Sequence, residues 1–201
     1  MQKLERGWFL MSCVIVLGCY RTGTSAVAGI LHHLGVMMGN EFDKPAKSNP
    51  KGYFEDVEFK DLYSKLAEGK EVEGIIELLV KNRELHYPLW GVKDPQLCLL
   101  LNKFSPLIKS DQKLISTNRS AEDICKSLSK AIDNGKDPNY FMTLVDYYLT
   151  RKSANIENYK HPILSVDFEE IQKNPVELVQ KIANFINVPI TQKAIDHVKN
   201  N

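Results

Sequence analysis

The chain has little of what usually gives away a partner or a compartment. Its 26 lysines and arginines stand against 25 acidic residues, a formal net charge of +1. Bulk attraction to nucleic acid or to an anionic membrane is therefore not expected, and any anion site has to be local. The four cysteines, at 13, 19, 98 and 125, include no C-x-x-C pair and no histidine at zinc-ligand spacing, so they read as reduced thiols in a cytoplasmic protein. Cys13 and Cys98 sit in apolar runs and are expected in the core. No internal repeat, heptad array or low-complexity tract is visible. Trp8 to Leu17 is interrupted by Ser12 and too short to span a bilayer. With Lys3 and Arg6 before it and Val16-Leu17-Gly18-Cys19 at its end, this run imitates a signal peptide with a lipoprotein cleavage site. Cutting there would destroy the unit described next, so neither secretion nor membrane attachment is expected.

What remains is a chain of 201 residues, 43% hydrophobic and 25% charged, which suits one globular domain over residues 1–201 with enough core to fold alone. Its most informative stretch is Gly18-Cys19-Tyr20-Arg21-Thr22-Gly23-Thr24-Ser25. This has the frame of a phosphate-binding loop, G-x-x-x-x-G-K-[ST], with Thr24 in the lysine position. Cys13 to Leu17 suits a strand buried on both faces, and Ser25 to Leu34 carries Ala26, Ile30, Leu31 and Leu34 at helical spacing. The loop thus points a helix N-terminus at an anion, with Arg21 as a permanent cation beside it. The glycine cradle is kept, and the lysine that would reach a γ-phosphate is not. The plain alternative is a tight β–α turn in which Thr24 or Ser25 caps the helix.

Further on, Gly35 to Gly39 closes a turn and 40–56 reads as a long functional loop. Helices are expected at Val57–Ala67, Val72–Asn82, Leu97–Phe104, Tyr140–Thr150 and Val176–Ile186. Strands are expected at Leu89–Val92, ending at Lys93-Asp94-Pro95, at Lys113–Thr117 and at Ile163–Val166. Ser120 reads as an N-cap with Asp123 three residues on, followed by an apolar stripe of Ile124, Leu128 and Ile132. This alternation predicts an α/β fold: three α/β/α layers around a central, mainly parallel sheet of the P-loop nucleotide-binding kind.

Arg119 lies just past a strand end, and Ser127 is eight residues later on the face that Ser120 starts. An arginine fork and a hydroxyl so placed suit one phosphate. Taken alone, a surface arginine and a serine on a polar helix face are the commoner case.

Taken with the lysine-less loop, the Arg119/Ser127 pair resembles the sulfotransferases that use 3′-phosphoadenosine 5′-phosphosulfate (PAPS). The resemblance extends to Asn49-Pro50-Lys51-Gly52-Tyr53-Phe54-Glu55, to Trp90-Gly91-Val92-Lys93-Asp94-Pro95, and to Val166-Asp167-Phe168-Glu169-Glu170-Ile171 with Asn174-Pro175, in the manner of the bacterial branch. It departs at Gln96, where arginine is frequent, at Ser120-Ala121, where a proline is frequent, and in lacking a late Arg-Lys-Gly-like element. The resemblance implies that Arg21, Thr22, Gly23, Thr24 and Ser25 grip the 5′-phosphosulfate and that Arg119 and Ser127 grip the 3′-phosphate. It implies sulfuryl transfer to a hydroxyl or amine without a metal, leaving 3′,5′-bisphosphoadenosine (PAP). Glu55 is then the candidate base, and Arg21 and Lys93 are the cations at the leaving oxygen.

Two residues keep a second reading: Glu55 as a cap for the helix near Val57, and Lys93 as a solvated lysine beside a turn proline. Lys44, Lys47 and Lys51, with Tyr53 and Phe54, are candidates to line a cleft for a small-molecule or carbohydrate acceptor. His32 and His33 are expected to pack or to be exposed, and His86, His161 and His197 are isolated in sequence. A small-molecule or nucleotide kinase, and a non-catalytic nucleotide-binding protein, are the competing functions.

Overall fold

The computed structural model describes residues 11–46, 49–132 and 137–199. Its centre is a four-stranded parallel sheet of β1 (Ser12–Leu17), β2 (Leu89–Lys93), β3 (Asp111–Asn118) and β4 (Ile163–Asp167), in the order β2-β1-β3-β4. Cys13 to Leu17 are completely buried, as a strand covered on both faces requires. Cys13, Ile15 and Leu17 face one apolar cluster, while Val14 and Val16 face a second. The layers that cover them follow from the helical stripes in the chain.

On the first face lie α2 (Val57–Ala67), α3 (Glu73–His86), α4 (Leu97–Phe104), α5 (Ala121–Ala131) and α6 (Pro138–Glu157). On the second lie α1 (Thr24–His33), α7 (Phe168–Lys173), α8 (Pro175–Ile186) and α9 (Gln192–Lys199). The three-layer expectation therefore holds. Among the described residues no helix is long and apolar enough to cross a membrane.

Several boundaries moved. α3 runs on to His86 and α6 to Glu157, while α7 and α9 have no counterpart among the expected helices. α7 is announced by a capping box in which Asp167 and Glu170 exchange bonds with backbone N–H groups, a pairing the sequence does carry. Ser120 caps α5 as expected, its hydroxyl accepting from the Asp123 N–H at 3.2 Å. The stripe ends early, because α5 stops at Ala131 and Ile132 is exposed. Cys13 and Cys98 are buried thiols, as expected, and Cys19 joins them. Lys3, Arg6, Trp8 and Lys47, which entered the sequence reading, lie outside the described residues.

Parallel register brings the carboxyl ends of the strands together. Val16 pairs with Lys93 and Leu17 with Ser116, so Gly18 leaves the sheet beside Thr117 of β3 and level with Pro95. Ligands of open parallel sheets bind at this edge.

Candidate active site

Gly18 ends β1 where the chain must pass close to β3. A Cβ there would overlap the Thr117 hydroxyl and lie 2.6 Å from Thr22 Oγ1 and 2.7 Å from Thr24 Cγ2. The loop then turns through Arg21, in the left-handed region at φ 63°, and Gly23 at φ 89°. A non-glycine residue at positive φ is strained, and here the strain sits at the loop's only arginine.

Gly23 is the N-cap of α1. It provides no side-chain cap, and the first turn holds no acidic residue. Thr24 and Ser25 therefore do not cap the helix, which corrects the capping part of the plain β–α turn reading. The leading N–H groups of α1 are left for an acceptor from outside.

The Thr22 side chain turns away from the cleft. Its hydroxyl is fully buried, donates to the Cys19 carbonyl at 2.7 Å and meets Thr117 Oγ1 at 2.8 Å. It braces the loop against β3, and only its backbone can serve an anion. Lys152 of α6 completes this brace. Its buried ammonium donates to the Thr117 carbonyl at 2.6 Å and to Asn118 Oδ1 at 2.8 Å, and burial lowers its pKa. No sequence spacing linked Lys152 to the loop.

The remaining loop residues line a cleft of about 700 Å³ together with Lys93, Glu55, Arg119, Tyr20, Tyr53 and Phe168. Lys93 Nζ donates to Glu55 Oε1 at 2.6 Å and to Ser25 Oγ at 3.2 Å, and Ser25 Oγ also accepts from Asn49 Nδ2 at 3.0 Å. The two side chains are 2% and 11% exposed, so the solvated-lysine reading of Lys93 is excluded. Asp56, not Glu55, caps α2, accepting from the Glu58 N–H at 3.0 Å while pairing with the buried Arg83. Glu55 is thus left facing the cleft, with Lys60 Nζ 3.8 Å from its other oxygen and Lys60 in turn bound to Asp43. Lys60 and Asp43 were not foreseen. Behind them, burial pushes the Asp94 carboxyl up to about 7, against a 2.8 Å bond from the Gln96 N–H, and the negative charge of Glu55 adds to the rise.

Arg119 and Ser127 are both brought to the loop, but the expected pairing differs. Ser127 Oγ accepts from Arg21 Nε at 2.9 Å, while Arg119 donates to the Arg21 carbonyl at 3.0 Å and stacks on Phe168, 3.9 Å from the ring centre. The two arginines therefore share one network, in which Ser127 holds Arg21. The guanidinium on Phe168 is a cation–π contact that fixes the plane of Arg119.

The lysines expected at an acceptor cleft separate. Lys44 and Tyr53 line it, whereas Lys51 reaches the His197 carbonyl and Phe54 is buried at φ 55° against His32, Phe42 and His197. His197 is isolated only in sequence. Its ring lies 4.8 Å from that of His33, and burial, with His33 and Lys51 nearby, lowers its pKa to about 4. Among the described residues no cluster of three or more His, Cys, Asp or Glu could hold a metal ion.

A family model described as the sulfotransferase domain matches residues 12–201. No curated protein matches the chain by sequence. Among solved structures, sulfotransferase STF9 from Mycobacterium avium is similar with a TM-score of 0.62 and 14% identity, over 95% of this chain and 67% of that one. The sulfotransferase domain from the Synechococcus PCC 7002 olefin synthase gives a TM-score of 0.62 and 14% identity, over 92% and 76%. Sulfotransferase STF1 from Mycobacterium tuberculosis H37Rv gives 0.55 and 14%, over 94% and 71%. At such identities the structural likeness speaks for the fold alone.

Proposed function

The chain belongs to the sulfotransferase family, and from that membership and the cleft we propose that it transfers a sulfuryl group from PAPS to a hydroxyl or amine of an acceptor. The observation that carries this reading is the convergence of four features on one cleft. These are Arg21, the open N-terminus of α1, the buried Lys93–Glu55 pair, and Arg119 held flat on Phe168. The nucleotide has two anionic ends, and the cleft offers two arginines, Arg21 and Arg119, joined in one network.

The loop and the N–H groups at the start of α1 would hold the 5′-phosphosulfate, and Arg119 would hold the 3′-phosphate. Arg119, through its bond to the Arg21 carbonyl, links the two grips, and Ser127 holds the Arg21 side chain. When bound, PAPS supplies a sulfuryl group on a phosphate leaving group. By analogy with phosphoryl transfer, the protein's work is then mainly positioning and charge stabilisation.

Glu55 takes the proton of the acceptor as the new bond from its oxygen or nitrogen to sulfur forms. Lys93 fixes the Glu55 carboxylate and brings a desolvated cation to the reacting centre. Arg21 with the loop N–H groups would stabilise the charge that the phosphate leaving group takes on when the donor is bound. Asn49 and Lys93 both donate to Ser25 and so set the floor of the cleft.

Calorimetric titration with PAP in the absence of metal tests the donor site, with ATP and Mg²⁺ as the comparison. Binding of PAP that weakens at least tenfold in Arg21→Ala and in Arg119→Ala supports the reading, on the scale of one charge-assisted hydrogen bond. Preference for ATP with Mg²⁺, or equal affinity in all three proteins, overturns it.

A further inference from the structure

A second large cavity lies at the opposite edge of the sheet from the donor cleft. It is about 770 Å³ and opens between α4, the C-terminal half of α6 and the start of β3. The strands are parallel, so Asp111 and Gln112 at the beginning of β3 stand at the far end of the sheet from Arg119. Nothing in the proposed transfer uses this cavity. Its volume falls within the range of small-molecule sites, roughly 300–1,000 Å³.

The walls are fixed in advance. Glu84 Oε1 accepts from the N–H groups of Lys109 at 2.8 Å and Ser110 at 2.6 Å, which sets the turn entering β3. Gln112 is clamped by Ser105 through bonds of 2.7 and 3.0 Å and by the Tyr159 hydroxyl at 3.2 Å. The lining includes the apolar residues Leu99, Leu101, Ile108 and Ala154. Ser110, also in the lining, has a buried hydroxyl with no hydrogen-bond partner, an unusual state for a buried polar atom.

The charged part of the lining is one-sided. Lys109, Arg151 and Lys160 contribute to it, with Asp111 as the one carboxylate among the residues that line the cavity. Among the described residues none of the three permanent cations forms a salt bridge. Lys109 donates to the Pro106 carbonyl at 3.0 Å, and Arg151 lies over the Tyr147 ring at 5.7 Å. All three side chains are exposed, so their charges stand open to a ligand at the mouth of the cavity. Cations left together around a cavity with an apolar share of wall are suited to a ligand of matching charge.

We propose that this cavity is a second binding site, for a small organic anion with an apolar body: a carboxylate, sulfonate or sulfate ester on an aromatic or aliphatic frame. The apolar frame lies against Leu99 and Ala154, the apolar lining residues that keep accessible surface, and the anionic head meets Arg151 and Lys160. A bare inorganic anion leaves the apolar wall uncovered, and a neutral apolar molecule leaves the cations unanswered, so both bind more weakly.

The test uses the whole chain, saturated with PAP to occupy the donor cleft, and anilinonaphthalene sulfonate as the probe. Its fluorescence titration is compared with that of uncharged phenylnaphthylamine, and amide chemical shifts are recorded for both. The expected result is one saturable site, with shift changes concentrated at 108–112 and 154–161. Affinity should be at least tenfold weaker for the uncharged analogue and at least tenfold weaker in the double variant Arg151→Glu, Lys160→Glu. Shift changes confined to the donor cleft or to other faces, equal affinity for the neutral analogue, or no saturable binding overturns the proposal. The shift map is read on the unaltered chain, so a variant that folds poorly does not blunt the test. PAP binding is measured separately, so failure here is distinct from failure of the transferase reading.

Discussion

Replacing Lys93 by methionine keeps the length of the side chain and removes the cation that answers Glu55. The pair is 2.6 Å apart with side chains 2% and 11% exposed, so the loss strands a carboxylate in a nearly dry site. Breaking such a pair from one side costs about 3–5 kcal/mol. Lys60 Nζ, 3.8 Å from the other oxygen of Glu55, offsets part of this, so a value near the lower end, about 3 kcal/mol, is expected. For a chain of this size that corresponds to a fall in Tm of roughly 6–12 °C. Adding Glu55→Gln removes the stranded charge, and the double variant should regain about 1–2 kcal/mol of the loss. The assay is urea denaturation of the unaltered protein, both single variants and the double variant, read at constant m. If the loss in the double variant equals the sum of the single losses within about 0.5 kcal/mol, the two side chains are not coupled and the reasoning fails.

Gly18→Ala should destabilise by about 2–4 kcal/mol and weaken PAP binding, because the added methyl group displaces the buried Thr22–Thr117 hydroxyl contact; unchanged melting and affinity would show that the loop has room. His197 carries a folded-state pKa of about 4, below its ordinary 6.5, so the unfolded chain binds the extra proton between those values and stability falls as pH drops from 6.5 toward 4. The ring is half-buried, so after solvent screening the loss is about 1–2 kcal/mol, and His197→Gln should remove it from melting curves taken across that window. Asp94 works in the opposite direction. With a folded pKa near 7 against 3.8, stability is lost as pH rises from 3.8 to 7, and Asp94→Asn should abolish that fall; a variant whose pH slope matches the unaltered protein contradicts the assignment.

The sheet was legible because each strand carries a short apolar stretch, such as Val14 to Leu17 or Leu114-Ile115, and ends near a turn residue or a cap. Cys13 to Leu17 could be read as a strand covered on both faces from composition alone, and Ser120 with Asp123 announced α5. The helices α7 and α9 were harder. α7 is six residues long and leaves β4 without a break, and α9 is a short polar segment whose burial depends on packing against α1. The site divides in the same way. Gly18, Gly23 and Arg21 form a local pattern, so the loop could be found in the sequence. The bond from Arg21 to Ser127, the brace from Lys152 to Thr117 and the pair of Lys60 with Asp43 join elements far apart in the chain or across a loop, and no spacing rule encodes them. Glu55, the candidate base, kept a second reading as a cap until Asp56 was found in the capping position. His197 could be recognised as a neighbour of His33 only once α9 was seen lying on α1.

The most direct measurement is transfer of labelled sulfur from PAPS to a mixed panel of sugar, phenol, alcohol and amine acceptors, run with the unaltered protein and with Glu55→Gln. The account expects label in an acceptor together with release of PAP, and a fall of about a hundredfold or more in Glu55→Gln at undiminished PAP affinity, the usual scale for a general base. Label that stays on the donor across the panel while PAP binds, or transfer by Glu55→Gln at the unaltered rate, would contradict it.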